Sequence, residues 1–358
     1  MAVMKLFIFI SSALLIFLIR PLSGQDRPAD SLYSVADTLN EKYSLFDRED
    51  LLSLTLRFDI TKFKRTRSDS VYLEAILTYY INETDSINKL IKVRSRGEFR
   101  RNYCDFPPLM LNFKMKDSIK GEFSKINKLK LVTQCKPGRD ELVLKEYLMY
   151  KLYNVLTDNS YRVRLLRVKY INTFKQSKPE IQFAFVIEPT DLLAKRINAV
   201  EIKTTNLTQK NFKPEMMDRF AVFNYMIGNT DWSVPAQHNA LMLSQPGSER
   251  PDLGVIIPFD FDFSGLVYAN YASPFPGLPI KTIRERLYLG ICRDEEVFIK
   301  ALKEFLDKKE EFYKVINEFP YLNEKSKKEM ITYLDEFFNG INDRSTLAKK
   351  LARECMRF

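Results

Sequence analysis

The stretch "ELVLKEYLMYKLYNVL", residues 141–156, is apolar on nearly every face when wound as a helix. A helix without a polar face is expected to be buried. Within it Glu146 is conspicuous, because a carboxylate among apolar neighbours is costly unless paired. Upstream, the pattern is that of strands. In "LLSLTLRFDI" (51–60) Leu52, Leu54, Leu56, Phe58 and Ile60 alternate cleanly, as in a half-buried strand. "VYLEAILTYYI" (71–81) and "KLIKVRSRG" (89–97) follow, with a turn near "NETDS" (82–86), and then "LMLNFKMK" (109–116) and "KLKLVTQC" (128–135). Downstream of the helix come two more strands, "YRVRLLRVKYI" (161–171) and "IQFAFVIE" (181–188), the second ended by Pro189. The spacing therefore predicts an antiparallel sheet with one buried helix in the first half of the chain.

The remainder reads as mainly helical. "PEMMDRFAVFNYMIG" (214–228) begins with Pro214 at a helical N-terminus and stops at Gly228. In "EVFIKALKEFLDKKEEFYKVINEF" (296–319) Phe298, Phe305, Phe312 and Phe319 recur every seven residues, a core stripe and not a ligand box. Further helices are predicted near 324–339 and 344–356. The fold class is α+β: a two-lobed, protein-kinase-like outline with a β-rich N-terminal lobe over residues 48–188 and a helical C-terminal lobe over 189–358.

The first residues are expected to lie outside that fold. Lys5 precedes fourteen apolar or small residues, 6–19, followed by "RPLSGQ". This is the pattern of a signal peptide, residues 1–24, cleaved near Gly24–Gln25, with an uncleaved anchor as the alternative. Fourteen residues fall short of the ~20 that span a bilayer. Residues 25–47 are polar and irregular in pattern. Without the leader the chain keeps 54 basic and 46 acidic residues, a net charge of +8. The charges are interleaved, which indicates a solvated surface and excludes a nucleic-acid stripe. Four cysteines, Cys104, Cys135, Cys292 and Cys355, allow two bridges in three pairings in an oxidising compartment, with Cys104–Cys135 the first choice; buried free thiols are the alternative. With His238 the sole histidine, a zinc site is not expected.

The candidate chemistry lies in "GNTDWSVPAQHN" (228–239) and "VIIPFDFDFSG" (255–265). "ALML" after Asn239 and "VIIPFDFD" read as two arms of an antiparallel hairpin around a Pro, Gly and Ser turn. The hairpin should set Asn239 beside Asp260, with Asp231 in the loop just before. If the second arm stays extended, Phe259, Phe261 and Phe263 share one face, and Asp260 and Asp262 share the other, ~6.6 Å apart. Oxygen donors of this kind suit Mg²⁺, which takes one or two carboxylates plus substrate phosphates. Asn239 and Asp260 are then the metal ligands, Asp262 replaces or assists Asp260, and Asp231 is the base toward an acceptor hydroxyl. The bland alternative is a turn-capping Asp231 and two carboxylates on a solvated edge. His238 reads as a structural histidine. In the first lobe, Lys128 and Lys130 share a strand face, and Glu146 is the partner expected for a phosphate-binding lysine, with Glu141 competing. Gly97 in "RSRGEFRR" would supply a turn over phosphates. Arg284 and Arg286 in "IRERLY" are read as structural in preference to phosphate-holding.

The order "RSRGEFRR", "KLKLV", "LKEYLMYKLYNVL", "FVIEPTDL", "GNTDWSVPAQHN" and "IPFDFDFSG" resembles the spore-coat CotH family of secreted, atypical protein kinases, over about residues 90–265. The resemblance implies transfer of phosphate from ATP, with Mg²⁺ or Mn²⁺, to Ser or Thr of a protein in the cell envelope or outside it, and a periplasmic or extracellular location. It implies Lys130 as the nucleotide lysine, Glu146 as its helix partner, Glu188 at the hinge, Asp231 as the catalytic aspartate, and Asn239 and Asp260 as metal ligands. The chain departs from ordinary kinases in having no Gly-x-Gly-x-x-Gly loop, Asp231 and Asn239 eight positions apart, and Asp-Phe-Asp where Asp-Phe-Gly is usual. Two other readings compete: a non-catalytic relative that keeps the fold for binding, and a metal-dependent phosphoesterase, which would need more ligands than this set supplies.

Overall fold

A computed structural model describes residues 45–80, 86–113, 122–123, 126–249, 252–342 and 344–356. The expected leader, most of the irregular segment after it, the turn near residues 82–85 and the end of "LMLNFKMK" lie outside these. The first half is rich in strands and the second in helices, a mixed α+β chain. In order, β1 (Leu52–Phe58), α1 (Ile60–Thr66), β2 (Leu73–Tyr80), β3 (Ser86–Ser95), α2 (Phe99–Tyr103), β4 (Leu109–Asn112), β5 (Lys128–Val132), α3 (Asp140–Leu156), β6 (Val163–Asn172) and β7 (Glu180–Ile187) form the strand-rich part. There follow α4 (Thr190–Arg196), β8 (Val200–Glu201), α5 (Pro214–Ile227), β9 (Ala240–Ser244), β10 (Val255–Pro258), α6 (Glu295–Asp307), α7 (Lys309–Asn317), α8 (Glu324–Asn342) and α9 (Arg344–Glu354).

The seven strands do not make the purely antiparallel sheet expected from the sequence. They close into a barrel in the order β1-β2-β3-β4-β5-β7-β6. Closure is made by β1 and β6, which pair parallel from Leu52 opposite Leu166 to Phe58 opposite Asn172. The alternation of each strand shows which face is apolar but not which strand lies beside it, so this long-range pair was invisible. Closing the sheet removes both exposed edges. Inward residues such as Leu54, Leu56, Leu77, Val93, Leu111, Leu131, Val168 and Val186 fill the barrel.

The buried helix is confirmed, and its all-round apolarity has a physical reason. Every residue from Val143 to Tyr150 is buried, Lys145 and Glu146 included. One side of α3 meets the outer face of the barrel at Leu165, Phe185 and Ile187, and the other joins the core built with α5 to α9. The seven-residue Phe stripe is core as expected: Phe298, Phe305 and Phe312 are fully buried and Phe319 half-buried. The stripe runs along α6 and α7, which meet at Lys308, and ends with Phe319 just beyond α7. Helix α5 starts with Pro214 and ends at Gly228 (φ 66°), where a left-handed residue suits glycine.

Both pairs of cysteines are bridged, Cys104 to Cys135 and Cys292 to Cys355. The first fastens the end of α2 to the loop after β5; the second fastens residues 290–292 to the segment after α9. They close loops of 31 and 63 residues. In the chain-entropy account each bridge contributes about 4 kcal/mol. Dithiothreitol is therefore expected to lower the urea midpoint strongly. A reduced chain with an unchanged midpoint would show that neither loop is constrained. No helix among the described residues is long and apolar enough to cross a membrane.

Candidate functional site

The hairpin predicted from sequence forms as β9 and β10, with Pro258 opposite Ala240. Just beyond it, Phe259 N–H donates to the Asn239 carbonyl (3.2 Å), so Asp260 arrives beside Asn239 as expected. The extended alternation past that point does not hold. The strand stops at Pro258, and Asp260 has φ 62°, in the left-handed region, where Asn239 (φ 51°) also lies. The three phenylalanines consequently face three surroundings: Phe259 meets Tyr161, Phe261 meets Tyr150 and Phe223, and Phe263 meets Phe99 and Tyr271. The bend is anchored from α3, since Asp260 N–H donates to the Tyr150 hydroxyl (2.9 Å).

Asp231 is placed by a relay of amides from the end of α5. Asn224 Oδ1 accepts from Asn229 Nδ2 (2.9 Å), and Asn229 Oδ1 accepts from Asp231 N–H (3.0 Å). The long spacing to Asn239 is taken up by a closed loop, in which Ser233 and His238 exchange backbone hydrogen bonds of 3.0 and 2.9 Å. That loop returns both His238 and Asn239 to Asp231. His238 Nε2 is hydrogen-bonded to Asp231 Oδ1 (3.0 Å), and Asn239 Nδ2 donates to Asp231 Oδ2 (2.9 Å) and to its carbonyl (2.7 Å). His238, expected to be structural, is exposed and touches the candidate base. Burial raises the Asp231 pKa, against the pull of His238 and Asn239.

A cavity of about 710 Å³ is lined by Gly97, Asp231, His238, Asn239, Asp260 and Asp262, together with Arg96 and Arg100. Gly97 turns there at φ 78°, and a Cβ added to it would meet only open space. The sequence-predicted set is thus largely brought together, with two exceptions. Glu188 lies elsewhere: its carboxylate takes Arg196 (2.8 and 3.0 Å) and the Arg162 N–H (3.1 Å), tying β7 to α4. The expected Lys130–Glu146 pair does not form. Glu146 Oε2 is held by Arg100 Nη1 (3.0 Å), while Arg100 Nη2 donates to the Thr133 carbonyl (2.7 Å). Glu141, the competing glutamate, pairs with Lys145 one turn along α3. Lys130 instead sits 5.4 Å from the centre of the Phe259 ring, and burial and Arg96 lower its pKa against Asp260 and Glu201. Lys128 is exposed. Arg284 and Arg286 are structural, as read: Arg284 donates to the Gly265 carbonyl (2.9 Å), and both guanidiniums stack on Tyr333.

Arg100 was missed because "RSRGEFRR" points to Gly97 as a turn, and nothing in the run marks one arginine as buried. It is buried, on the short helix that Cys104–Cys135 tethers. Burial opposes its charge, but Tyr271, Glu146, Asp262 and Asp260 outweigh this and raise its pKa. The carboxylates are short of positive charge in return. Burial raises the Glu146 pKa despite Arg100, and burial and Asp260 raise that of Asp262, which also accepts from the Tyr271 hydroxyl (2.9 Å). Glu146 Oε1 and Arg100 Nε are buried with no hydrogen-bond partner. No cluster of three or more His, Cys, Asp or Glu that could hold a metal occurs among the described residues. The donor set is two aspartates and an amide oxygen, a set that fits Mg²⁺ completed by phosphate oxygens and not a self-sufficient metal cage.

No known protein family matches the chain, and no curated protein does. Among solved structures, the crystal structure of a Helicobacter pylori proinflammatory kinase, CtkA, is similar at 16% identity and a TM-score of 0.37, over 68% of this chain and 95% of that one.

Proposed function

We propose that this chain is a kinase-like phosphotransferase that moves phosphate from ATP to a Ser or Thr hydroxyl of an envelope or secreted protein. The motif-level resemblance to the CotH family and the strand-rich first half followed by a helical second half support this reading. The observation that carries it is the meeting of Asp231, Asn239, Asp260 and Asp262 with Arg96 and Arg100 around one cavity. Asp231 takes the proton of the acceptor hydroxyl as its oxygen bonds to phosphorus and ADP leaves. Its two oxygens hold His238 and Asn239 and still have lone pairs for that hydroxyl. Asn239 Oδ1, Asp260 and Asp262 would hold Mg²⁺ or Mn²⁺, which when bound neutralises phosphate charge. Arg100, Arg96 and Lys130 supply the phosphate-side cations, with Glu146 orienting Arg100 and Gly97 giving the turn beside them. Export accords with two disulfides, which persist in oxidising compartments.

ATP with Mg²⁺ is expected to raise the melting temperature, and Asp260→Ala to abolish that shift. Label from ATP should appear on envelope proteins. No shift in either form, with no label transferred, would overturn the reading in favour of a non-catalytic binding protein.

A further inference from the structure

A second cavity, of about 580 Å³, meets the first at Asp231 and His238, which line both. The two differ in chemistry. The first carries two arginines and four acidic side chains; the second is walled mainly by Trp232, Val234, Phe275, Leu278, Leu289 and Met356, and among the described residues its ionisable lining groups are the two shared ones. Its wall is built in. Met356 N–H donates to the Gly290 carbonyl (2.8 Å), Cys292 N–H donates to the Met356 carbonyl (3.3 Å), and the Cys292–Cys355 bridge locks the two strips together. Apolar surface continues past the rim, where Phe275 is 71% and Met356 40% exposed.

We infer that this groove is the acceptor site, taking an extended segment of a protein substrate whose Ser or Thr hydroxyl reaches Asp231 while a large aliphatic or aromatic residue close to it in sequence fills the groove. The inference rests on the phosphotransfer reading and names its substrate class. A base shared by two cavities needs its donor on one side and its acceptor on the other, and the mainly apolar side, without arginines among its described lining, is unsuited to phosphates. A peptide fits better than a small molecule because the apolar surface spills onto an exposed rim, the mark of a protein-binding surface, whereas small ligands are mostly enclosed.

The test uses the full, disulfide-intact chain and fluorescein-labelled dodecapeptides with a central Ser, scanning Leu, Phe, Ala, Asp or Lys through the flanking positions, read by fluorescence anisotropy without nucleotide. Leu or Phe at one or two positions should bind at least tenfold tighter than Ala or Asp, as when one large side chain leaves water. Phe275→Asp, at an exposed position, and Leu278→Ser should erase that preference while leaving the ATP–Mg²⁺ thermal shift intact. A flat profile with an intact nucleotide shift overturns the groove alone. A preference that survives both substitutions, or that 2-phenylethanol competes away as well as the best peptide does, also overturns it. An apolar preference with no nucleotide shift keeps the peptide groove and overturns the phosphotransfer reading.

Discussion

Asp231→Ala is expected to lower phosphoryl transfer by about 10²–10⁴-fold, the usual contribution of a positioned general base. The ATP–Mg²⁺ thermal shift should remain, because Asp231 is set by Asn229 and holds His238 and Asn239 without being assigned to the cation. Alanine also strips Asn239 Nδ2 of a carboxylate partner, so a loss of rate could come from a displaced Asn239. Asp231→Asn separates the two effects. It can keep an acceptor oxygen for Asn239 yet cannot take a proton, so it should be nearly as slow as alanine. An asparagine variant close to wild-type rate would assign Asp231 to positioning. Transfer that survives both changes removes it from the mechanism.

The second large effect is on stability. Glu146→Ala should destabilise the chain by about 3–5 kcal/mol, because it leaves the Arg100 guanidinium buried beside the Thr133 carbonyl without its counter-charge. Replacing both partners, Glu146→Leu with Arg100→Met, should cost less than the sum of the single changes, since neither member of the pair is left buried without the other. Urea unfolding of the four forms measures this. A Glu146→Ala cost below about 1 kcal/mol would mean that the pair is effectively solvated. Lys130→Met is the useful contrast. That lysine lies over the Phe259 ring and its charge is already disfavoured by burial, so the loss of stability should be small.

Local pattern revealed most of the elements and half of the site. The apolar helix, the Phe stripe and the hairpin that brings Asp260 to Asn239 follow from short-range spacing and turn chemistry, and the Cys104–Cys135 bridge was the first choice among three pairings. What stayed hidden depended on contacts distant in sequence. Barrel closure needs β1 beside β6, which no period within either strand encodes. The partner of Glu146 comes from 46 residues upstream, inside a run whose pattern singles out Gly97 and not Arg100. The end of the strand at Pro258 was masked by the perfect Phe/Asp alternation after it. That alternation is chemically real, but the chain turns into the left-handed region at Asp260, whose N–H donates to the Tyr150 hydroxyl on α3.

The left-handed backbone of Asn239 and Asp260 has a price for the molecule as a whole. Sparsely populated conformations of this kind cost of order 1–3 kcal/mol each, least for Asn and Asp. Glycine would relax both positions, yet it would also delete both oxygen donors from the mouth of the hairpin. The mouth is therefore spring-loaded: the rest of the fold holds two reluctant residues in place, and any drift toward a calmer, more stable chain at these positions would disarm the site.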